Sequence, residues 1–375
     1  MDPSNPSSHS ISAPCDSYPF SLPQCRPDEP IRLLLLSSEA MALALMDGMT
    51  GQPQVVEPVG YFPVSQTKKG AFLARSSDEA AIQAKAETYG IERLDVTSVN
   101  GPAFRAVLDT LKPHVVFVCI WPEIIKATTL AHAIDYGHGH WPATFINCHG
   151  SLLPKYRGAR PYLAAIFNGD TQGGYTFHLM DEGVDTGDIL FQESFGLAPN
   201  ETRTSYFEHS VAKVGQAIGP FLADLKAGRI VARSQGGEAS YVPQQKPHWG
   251  WIQWHLEPQV IERRIRAMAR YVNLLTTLNN VLLGFENGHL VQAEAEEPVT
   301  LVLEKNPRPR FQYQPGMVVA NTPEGITVAT NDPGTHLLLT KPMVMNMLPS
   351  ESSRMINTIV PGHQFISPFF DMELT

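Results

Sequence analysis

Three stretches of this chain are apolar without alternation: Ile31-Arg-Leu-Leu-Leu-Leu-Ser-Ser, Val115-Val-Phe-Val-Cys and Thr144-Phe-Ile-Asn-Cys. A strand with one face in water alternates apolar and polar residues. A strand that does not is covered on both faces, as in the parallel sheet of an α/β domain. The first run passes through a polar turn into helical spacing from Ala40 to Met46, the second is entered through Pro113-His114, and the third ends in Asn147, Cys148 and His149. The run Leu33–Leu36 is too short to cross a bilayer. With acidic residues on both sides and no basic segment before it, it does not read as a signal peptide either.

Length and charge set the outer limits. A chain of 375 residues suits two domains. A net charge of -9 gives no general attraction to phosphate backbones, although a local basic patch is not excluded by it. The four cysteines form neither a secreted disulfide framework nor paired C-x-x-C knuckles: Cys15 and Cys25 precede the first strand, Cys119 and Cys148 lie inside strand-like runs. A reducing cytoplasm is the expected setting, with no membrane partner.

The expected organisation is a loosely attached Ser/Pro-rich tail over residues 1–30 and an α/β domain over 31–228. A linker over 229–257, a small β domain over 258–345 and a C-terminal tail over 346–375 follow. Pro161 opens a helix that ends at Asn168-Gly169. A second helix starts at a Ser205/Glu208 capping box, carries Phe207, Val211, Val214, Ile218, Phe221 and Leu225 on one face, contains Pro220 and stops at Gly228. A short helix with Val260, Ile261, Ile265 and Met268 on one face precedes several short strands. Asn287-Gly288, Pro315-Gly316, Pro323-Glu-Gly325 and Asp332-Pro-Gly334 supply the turns, which is the pattern of a small β-barrel.

The chemistry concentrates between Asn147 and Asp188. Strand alternation projects Asn147 and His149 to one face and Cys148 to the other. At the carboxyl end of a parallel strand that face opens on the usual ligand crevice. Asp185 follows in the Gly-rich loop Asp181-Glu-Gly-Val-Asp-Thr-Gly-Asp188. Amide, imidazole and carboxylate together support acyl transfer to an amine. The residues alone leave other readings open: a structural Asn-x-His, or a solvated acidic turn. Calcium is disfavoured because Asp181, Glu182, Asp185 and Asp188 lack the EF-hand pattern. Zinc is disfavoured because His132, His138, His140 and His149 lack metal-ligand spacing, so no metal is expected. Cys148 and His149 face opposite ways, which argues against a thiol nucleophile. There is no P-loop and no G-x-G-x-x-G.

One pattern runs through this stretch in order: Asn147-x-His149-x-Ser151-Leu-Leu-Pro154, then Tyr156-Arg-Gly158, then Asp181-x-Gly183-x-Asp185-Thr-Gly-Asp188. It resembles the signature of the folate-dependent formyltransferases, a family that includes methionyl-tRNA, amino-sugar, amino-acid and glycinamide ribonucleotide enzymes. The resemblance covers residues 31–228 strongly. From about 251 to 342 it extends more weakly to the open β-barrel C-terminal domain of the tRNA and sugar enzymes. It implies a Rossmann-like catalytic domain followed by that OB-like barrel, and 10-formyltetrahydrofolate as formyl donor with no metal.

By the same resemblance Asn147, His149 and Asp185 are catalytic. Asn147 and His149 stabilise a tetrahedral oxyanion, while Asp185 orients His149 and relays the amine proton. Ile120, Trp121, Ile124, Ile125, Asp181 and Gly183 fall in the two loops that hold the pterin, and Leu153-Pro154 is expected to be cis. The acceptor side departs from the tRNA enzymes. Pro63 to Arg75 offers only Lys68, Lys69 and Arg75 as bases, and Met268-Ala-Arg-Tyr-Val-Asn-Leu-Leu replaces a Pro- and aromatic-rich turn. A small amine, an amino sugar or an amino acid, is therefore the expected acceptor. Methionyl-tRNA is the alternative, and a 10-formyltetrahydrofolate hydrolase or a non-catalytic folate-binding module are more distant ones. The hydrolase usually carries an N-terminal regulatory domain, for which the residues before Ile31 are too few. The aromatic run His248-Trp-Gly-Trp251-Ile-Gln-Trp254 reads as a packing strip or as one wall of an acceptor pocket.

Overall fold

A computed structural model describes residues 17–22, 24–67, 76–134, 142–243, 247–268, 273–293 and 314–368. These divide into two compact units. One holds the described residues of Met1–Pro161, Gly173–Phe195 and Phe207–Val242. The other holds those of Tyr162–Gln172, Gly196–Tyr206 and Pro243–Thr375.

In chain order the first elements are β1 (Ser17–Pro19), β2 (Ile31–Ser37), α1 (Glu39–Thr50), β3 (Val56–Phe62), α2 (Ser76–Tyr89), α3 (Pro102–Leu111), β4 (Val115–Cys119), α4 (Ala127–Ile134) and β5 (Thr144–His149). There follow β6 (Arg157–Gly158), α5 (Pro161–Asn168), β7 (Gln172–Leu179), β8 (Ile189–Gly196), α6 (Arg203–Lys226), β9 (Val231–Arg233) and β10 (Tyr241–Val242). Eight of the strands form one sheet in the order β1-β9-β8-β7-β5-β4-β2-β3. The half built from β3, β2, β4 and β5 is parallel. From β5 to β7 the direction reverses, and β9 pairs antiparallel with both β8 and β1.

The continuous apolar runs now have their physical reason. On one face Leu33, Leu35, Phe117, Ile146 and Cys148 belong to a buried cluster with Met41, Leu45 and Met49 of α1 and Val214, Ile218 and Phe221 of α6. On the other face Leu34, Leu36, Val116, Val118 and Phe145 pack with Phe104 and Leu108 of α3 and Leu130 of α4. Both sides of each strand are therefore removed from water, at about 1.5–3 kcal/mol for each large apolar side chain so buried.

The second unit contains α5 and the start of α6, then α7 (Pro258–Met268), β11 (Leu274–Leu278), β12 (Val281–Phe285), β13 (Asn287–Gln292), β14 (Val318–Thr322), β15 (Gly325–Ala329), β16 (Thr335–Thr340), β17 (Met343–Val344) and α8 (Pro349–Ile356). Its strands form two small antiparallel sheets, β11-β12-β17 and β13-β16-β15-β14. Trp254 lies in this unit's core: its indole N–H donates to Thr276 Oγ1 at 3.1 Å and its ring lies 6.3 Å from that of Phe365. Trp249 is buried as well. Trp249 and Trp254 thus serve packing, whereas Trp251 is half-buried; the side chain of His248 lies outside the described residues.

Several boundaries differ from the sequence reading. Part of the expected loose tail is ordered, because Ser17–Pro19 pairs with Val231–Arg233 at the sheet edge. Two of the expected linker's segments are strands: β9 sits in the main sheet, and β10 pairs in parallel with β6. The capping box of α6 is Thr202/Ser205 rather than Ser205/Glu208. Ser205 N–H donates to Thr202 Oγ1 at 3.1 Å, and Thr202 N–H to Ser205 Oγ at 3.0 Å. Asn287-Gly288 lies within β13, not in a turn. The β11–β12 hairpin instead turns at Asn279-Asn280, both left-handed with φ of 49° and 66°, as a two-residue turn of that kind requires. The expected C-terminal tail contains α8, and Thr277 pairs with Ile366 beyond it.

Candidate active site

Strand β5 carries Asn147 and His149 at the carboxyl end of the parallel half-sheet, and the loop between β7 and β8 carries Asp185. The three side chains converge. Asn147 Nδ2 donates to Asp185 Oδ1 at 3.3 Å, and His149 Nδ1 lies 3.5 Å from Asp185 Oδ2. Cys148 faces the opposite way, in the buried cluster with Phe177 and Leu190. Burial pushes its thiol up, so it stays protonated.

Two backbone devices hold the carboxylate. Gly158 N–H donates to Asp185 Oδ2 at 2.8 Å. Asp185 itself is left-handed, with φ of 54°. Behind it, Gln235 Nε2 donates to the carbonyls of Asp185 and Gly187, at 2.9 and 2.7 Å. The Gln235 carbonyl in turn accepts two N–H groups of Arg157, at 3.0 and 2.7 Å. Gly187 has no alternative in this loop, since a Cβ there would lie 1.9 Å from Leu179 O. The Leu153-Pro154 bond is cis, as the resemblance implied.

Protonation follows from these contacts. His149 Nε2 is 2.8 Å from Tyr156 O, so Nε2 carries the hydrogen and Nδ1 presents a lone pair on the Asp185 side. Burial pushes the His149 imidazole below its ordinary value, against the opposing pull of Asp185, and the ring is neutral at pH 7. Burial would raise Asp185, but at the acid pH where a carboxyl titrates His149 is cationic, and its charge, the contact with His178 and the Gly158 N–H outweigh burial and bring the carboxyl down to about 2. The site therefore holds an ionised carboxylate beside a neutral imidazole that can take one proton.

The six residues assigned to the pterin loops divide by exposure. Ile124 is 76% exposed and Ile120 38%. Ile120 is left-handed, with φ of 53°, a costly state for a β-branched residue; its carbonyl accepts the buried Ser38 hydroxyl at 2.9 Å. Ile125 is buried, and Trp121 packs at 4.9 Å on Phe62, its indole N–H buried without a partner among the described residues. Asp181 shapes its own loop, accepting Gly183 N–H at 3.0 Å and Thr186 Oγ1–H at 2.5 Å. Gly183 leaves room for Thr186, whose Oγ1 would lie 2.0 Å from a Cβ at that position.

Three participants escaped the sequence reading. His178 on β7 stands directly across from Asn147 in the β5–β7 register, with Nε2 at 3.0 Å from Asn147 Nδ2 and 3.5 Å from Asp185 Oδ1. A buried imidazole in the run Tyr175-Thr-Phe-His-Leu was the available signal. Gln235 gave none. Tyr18, from the expected tail, donates its hydroxyl to Asp188 Oδ2 at 2.7 Å.

Among the described residues one cluster has metal-ligand composition, Cys25, Glu29 and His114, and its chemistry does not fit a cation. His114 Nδ1 accepts the Arg32 N–H at 3.0 Å, so the hydrogen sits on Nε2, the nitrogen facing Glu29 at 3.5 Å. The ring has no lone pair left for a metal there. His138 and His140 lie outside the described residues, as do Lys68, Lys69, Arg75 and the segment 269–272.

Comparison with known proteins decides the family. The sequence matches the formyl transferase family over residues 33–220 and the formyl transferase C-terminal domain over residues 245–348. The chain belongs to this family. Formyltransferases of this family are folate-dependent N-formyltransferase enzymes. A methionyl-tRNA formyltransferase of Myxococcus xanthus is 28% identical over 302 residues, 80% of this chain and 88% of that protein. One from Geobacter metallireducens is 32% identical over 199 residues, 53% and 61% of the respective chains. The fold resembles that of an N-formyltransferase from Helicobacter canadensis, solved with folinic acid and dTDP-3-aminofucose, with a TM-score of 0.58, 16% identity, and coverage of 83% of this chain and 99% of that one. HypX from Aquifex aeolicus gives a TM-score of 0.57 at 13% identity, over 89% of this chain and 49% of that one. No helix among the described residues is long and apolar enough to cross a membrane.

Proposed function

We propose that this formyltransferase moves a formyl group from 10-formyltetrahydrofolate to a primary amine of a small molecule, an amino sugar or an amino acid, in the cytoplasm. The observation that carries the reading is the convergence of Asn147, His149 and Asp185 in a member of this family. The amine attacks the formyl carbon, and the carbonyl becomes a tetrahedral oxyanion. Asn147 supplies an N–H to that oxygen by exchanging its longer bond, the one to Asp185. Neutral His149 takes the amine proton at Nδ1, and the Asp185 carboxylate stabilises the imidazolium. The same proton then goes to the folate nitrogen as it leaves, so His149 serves first as base and then as acid. The exposed Ile120 and Ile124, with the backbone of the Asp181–Gly183 loop, are the pterin contacts in this scheme; Trp121 and Ile125 support the first loop from beneath.

The small acceptor is favoured by the net charge of -9 and by the thin basic content of the Pro63–Arg75 segment, which has only Lys68, Lys69 and Arg75. A charged initiator tRNA is the second reading, favoured by the methionyl-tRNA formyltransferases among the relatives. Incubation with 10-formyltetrahydrofolate and a panel of nucleotide-linked amino sugars, free amino acids and methionyl-tRNA, read by mass spectrometry for one added formyl group, separates them. Efficient, salt-sensitive formylation of methionyl-tRNA would promote the second reading. No product from any amine would end both.

A further inference from the structure

The geometry points to His178 as a positioning residue that holds the Asn147 amide through a neutral Nε2, leaving the second amide N–H free to turn to the formyl oxygen. This rests on the formyl-transfer reading above. His178 is 2% exposed and sits across the β5–β7 pair from Asn147. Its Nδ1 lies 2.7 Å from Leu179 O, a bond that requires the hydrogen on Nδ1. Nε2 is then an acceptor, and Asn147 Nδ2 donates to it at 3.0 Å.

The other arrangements match the Asn147 contact less well, although His178 Nε2 also lies 3.5 Å from Asp185 Oδ1, the longer of its two contacts. A hydrogen on Nε2 would meet the Asn147 NH2 group head-on across 3.0 Å. Turning the amide over to relieve that contact would bring Asn147 Oδ1 to the position 3.3 Å from the Asp185 carboxylate. Two acceptors would then face each other in a buried place, at a cost of roughly 1–3 kcal/mol or more. One orientation remains, with both amide hydrogens directed at His178 and Asp185.

The two bonds have different fates. The bond to Asp185 is the longer, and it is the one to be given up when an oxyanion forms nearby. The bond to His178 persists and keeps the amide from rotating its carbonyl toward the developing negative charge. His178 touches no reacting atom in this scheme; it acts through Asn147.

Two variants and one spectrum test this. His178→Leu removes the acceptor at similar volume. His178→Gln restores it, since the glutamine carbonyl can reach where Nε2 stood. Formyl transfer from 10-formyltetrahydrofolate to the best amine of the panel should lose roughly 10- to 100-fold in kcat in H178L, with KM for the donor nearly unchanged. H178Q should recover most of it. A role limited to packing would lower the melting temperature and raise KM, and glutamine would not rescue kcat. Undiminished kcat in H178L, or H178Q as impaired as H178L, overturns the proposal. Independently of any acceptor, 15N–1H correlation spectra of histidine-labelled protein report the tautomer. A His178 hydrogen on Nδ1 supports the proposal and one on Nε2 overturns it. If the wild type transfers to no amine, the formyl-transfer reading fails at that step, whereas a failure specific to His178 leaves wild-type transfer intact.

Discussion

Gly158 N–H donates to Asp185 Oδ2 at 2.8 Å, joining the Tyr156–Gly158 segment to the loop that carries the carboxylate. Gly158 has φ of 95°, and a Cβ there would lie 2.5 Å from Val242 O. Any side chain must push β10 away and rotate the N–H off its acceptor. Gly158→Ala should therefore lower kcat by roughly 10-fold or more, since the carboxylate is misaimed. It should also lower the melting temperature by several degrees, about what 1–2 kcal/mol of strain removes. Steady-state kinetics and a thermal melt check both. An alanine variant with normal kcat would show that the Gly158 contact is incidental to the carboxylate's aim.

Transfer should fall at acid pH. Burial depresses the His149 pKa, so the basic form dominates at neutral pH and is lost as pH drops below the ordinary histidine value of about 6.5. The profile of kcat/KM should show an acidic limb set below that value. Removing the Asp185 charge in Asp185→Asn removes a neighbour that raises His149. The acidic limb should then move to lower pH while kcat falls by about 100-fold or more. A limb that stays in place would sever His149 from the proton transfer.

Asp185 also links stability to pH. Its folded pKa of about 2 lies below the unfolded 3.8, so its contribution is fully present above the unfolded value and disappears as pH falls through the folded one. That contribution is on the order of 2 kcal/mol. Urea unfolding of wild type and Asp185→Asn, followed from about one pH unit above that window to about one unit below it, should show a gap that closes as pH falls. His149 acts in the same direction over a higher window, because the unfolded ring takes a proton that the folded ring resists.

Gln235 bears on the loop rather than on the chemistry. Gln235→Leu would leave the carbonyls of Asp185 and Gly187 without that donor and deprive Arg157 of one of its acceptors, leaving Tyr241 Oη. A loss of roughly 1–3 kcal/mol is expected, with transfer reduced in step with the loop's disorder. Denaturant melts with and without a folate donor should show part of that loss recovered by the ligand. Unaltered stability would mean that water replaces the amide.

The elements legible in the sequence were those with a local cause. Continuous apolar runs marked β2, β4 and β5 because each residue must suit one of two covered faces. Asn147, His149 and Asp185 stood out because their motif fixes spacing along the chain. What failed was set by pairing between distant segments. The antiparallel β5–β7 register that brings His178 opposite Asn147 leaves no periodicity of its own. Ser205/Glu208 satisfies the Ser-x-x-Glu pattern and Thr202/Ser205 does not, so the pattern pointed one turn too late, as the start of α6 at Arg203 shows. Asn279-Asn280 lacked the glycine that flags a left-handed turn, whereas Asn287-Gly288 had it and was drawn into β13.

The N-terminal strand is the longest-range of these pairings and gives the last prediction. Ser17–Pro19 forms the sheet edge and covers β9, and Phe20 N–H donates to Ile230 O at 2.9 Å. Tyr18 adds a bond from its hydroxyl to Asp188. Burial, with that carboxylate, pushes the phenol up to about 12, so it remains a donor throughout the physiological range. Asp188 closes the loop that carries Asp185, its carbonyl accepting Leu179 N–H at 2.9 Å. Tyr18→Phe removes one partly exposed hydrogen bond and should cost no more than about 1 kcal/mol, with transfer reduced a few-fold at most. Deleting residues 1–22 does more. It uncovers the backbone donors and acceptors of β9, which invites pairing with another chain, and it removes the buried Leu22 from the core. The deletion should therefore lower the melting temperature further than Tyr18→Phe and promote aggregation, measurable by light scattering during a melt. A truncated protein that melts and transfers like the full chain would reduce β1 to an accessory strand and leave Asp188 held by its backbone alone.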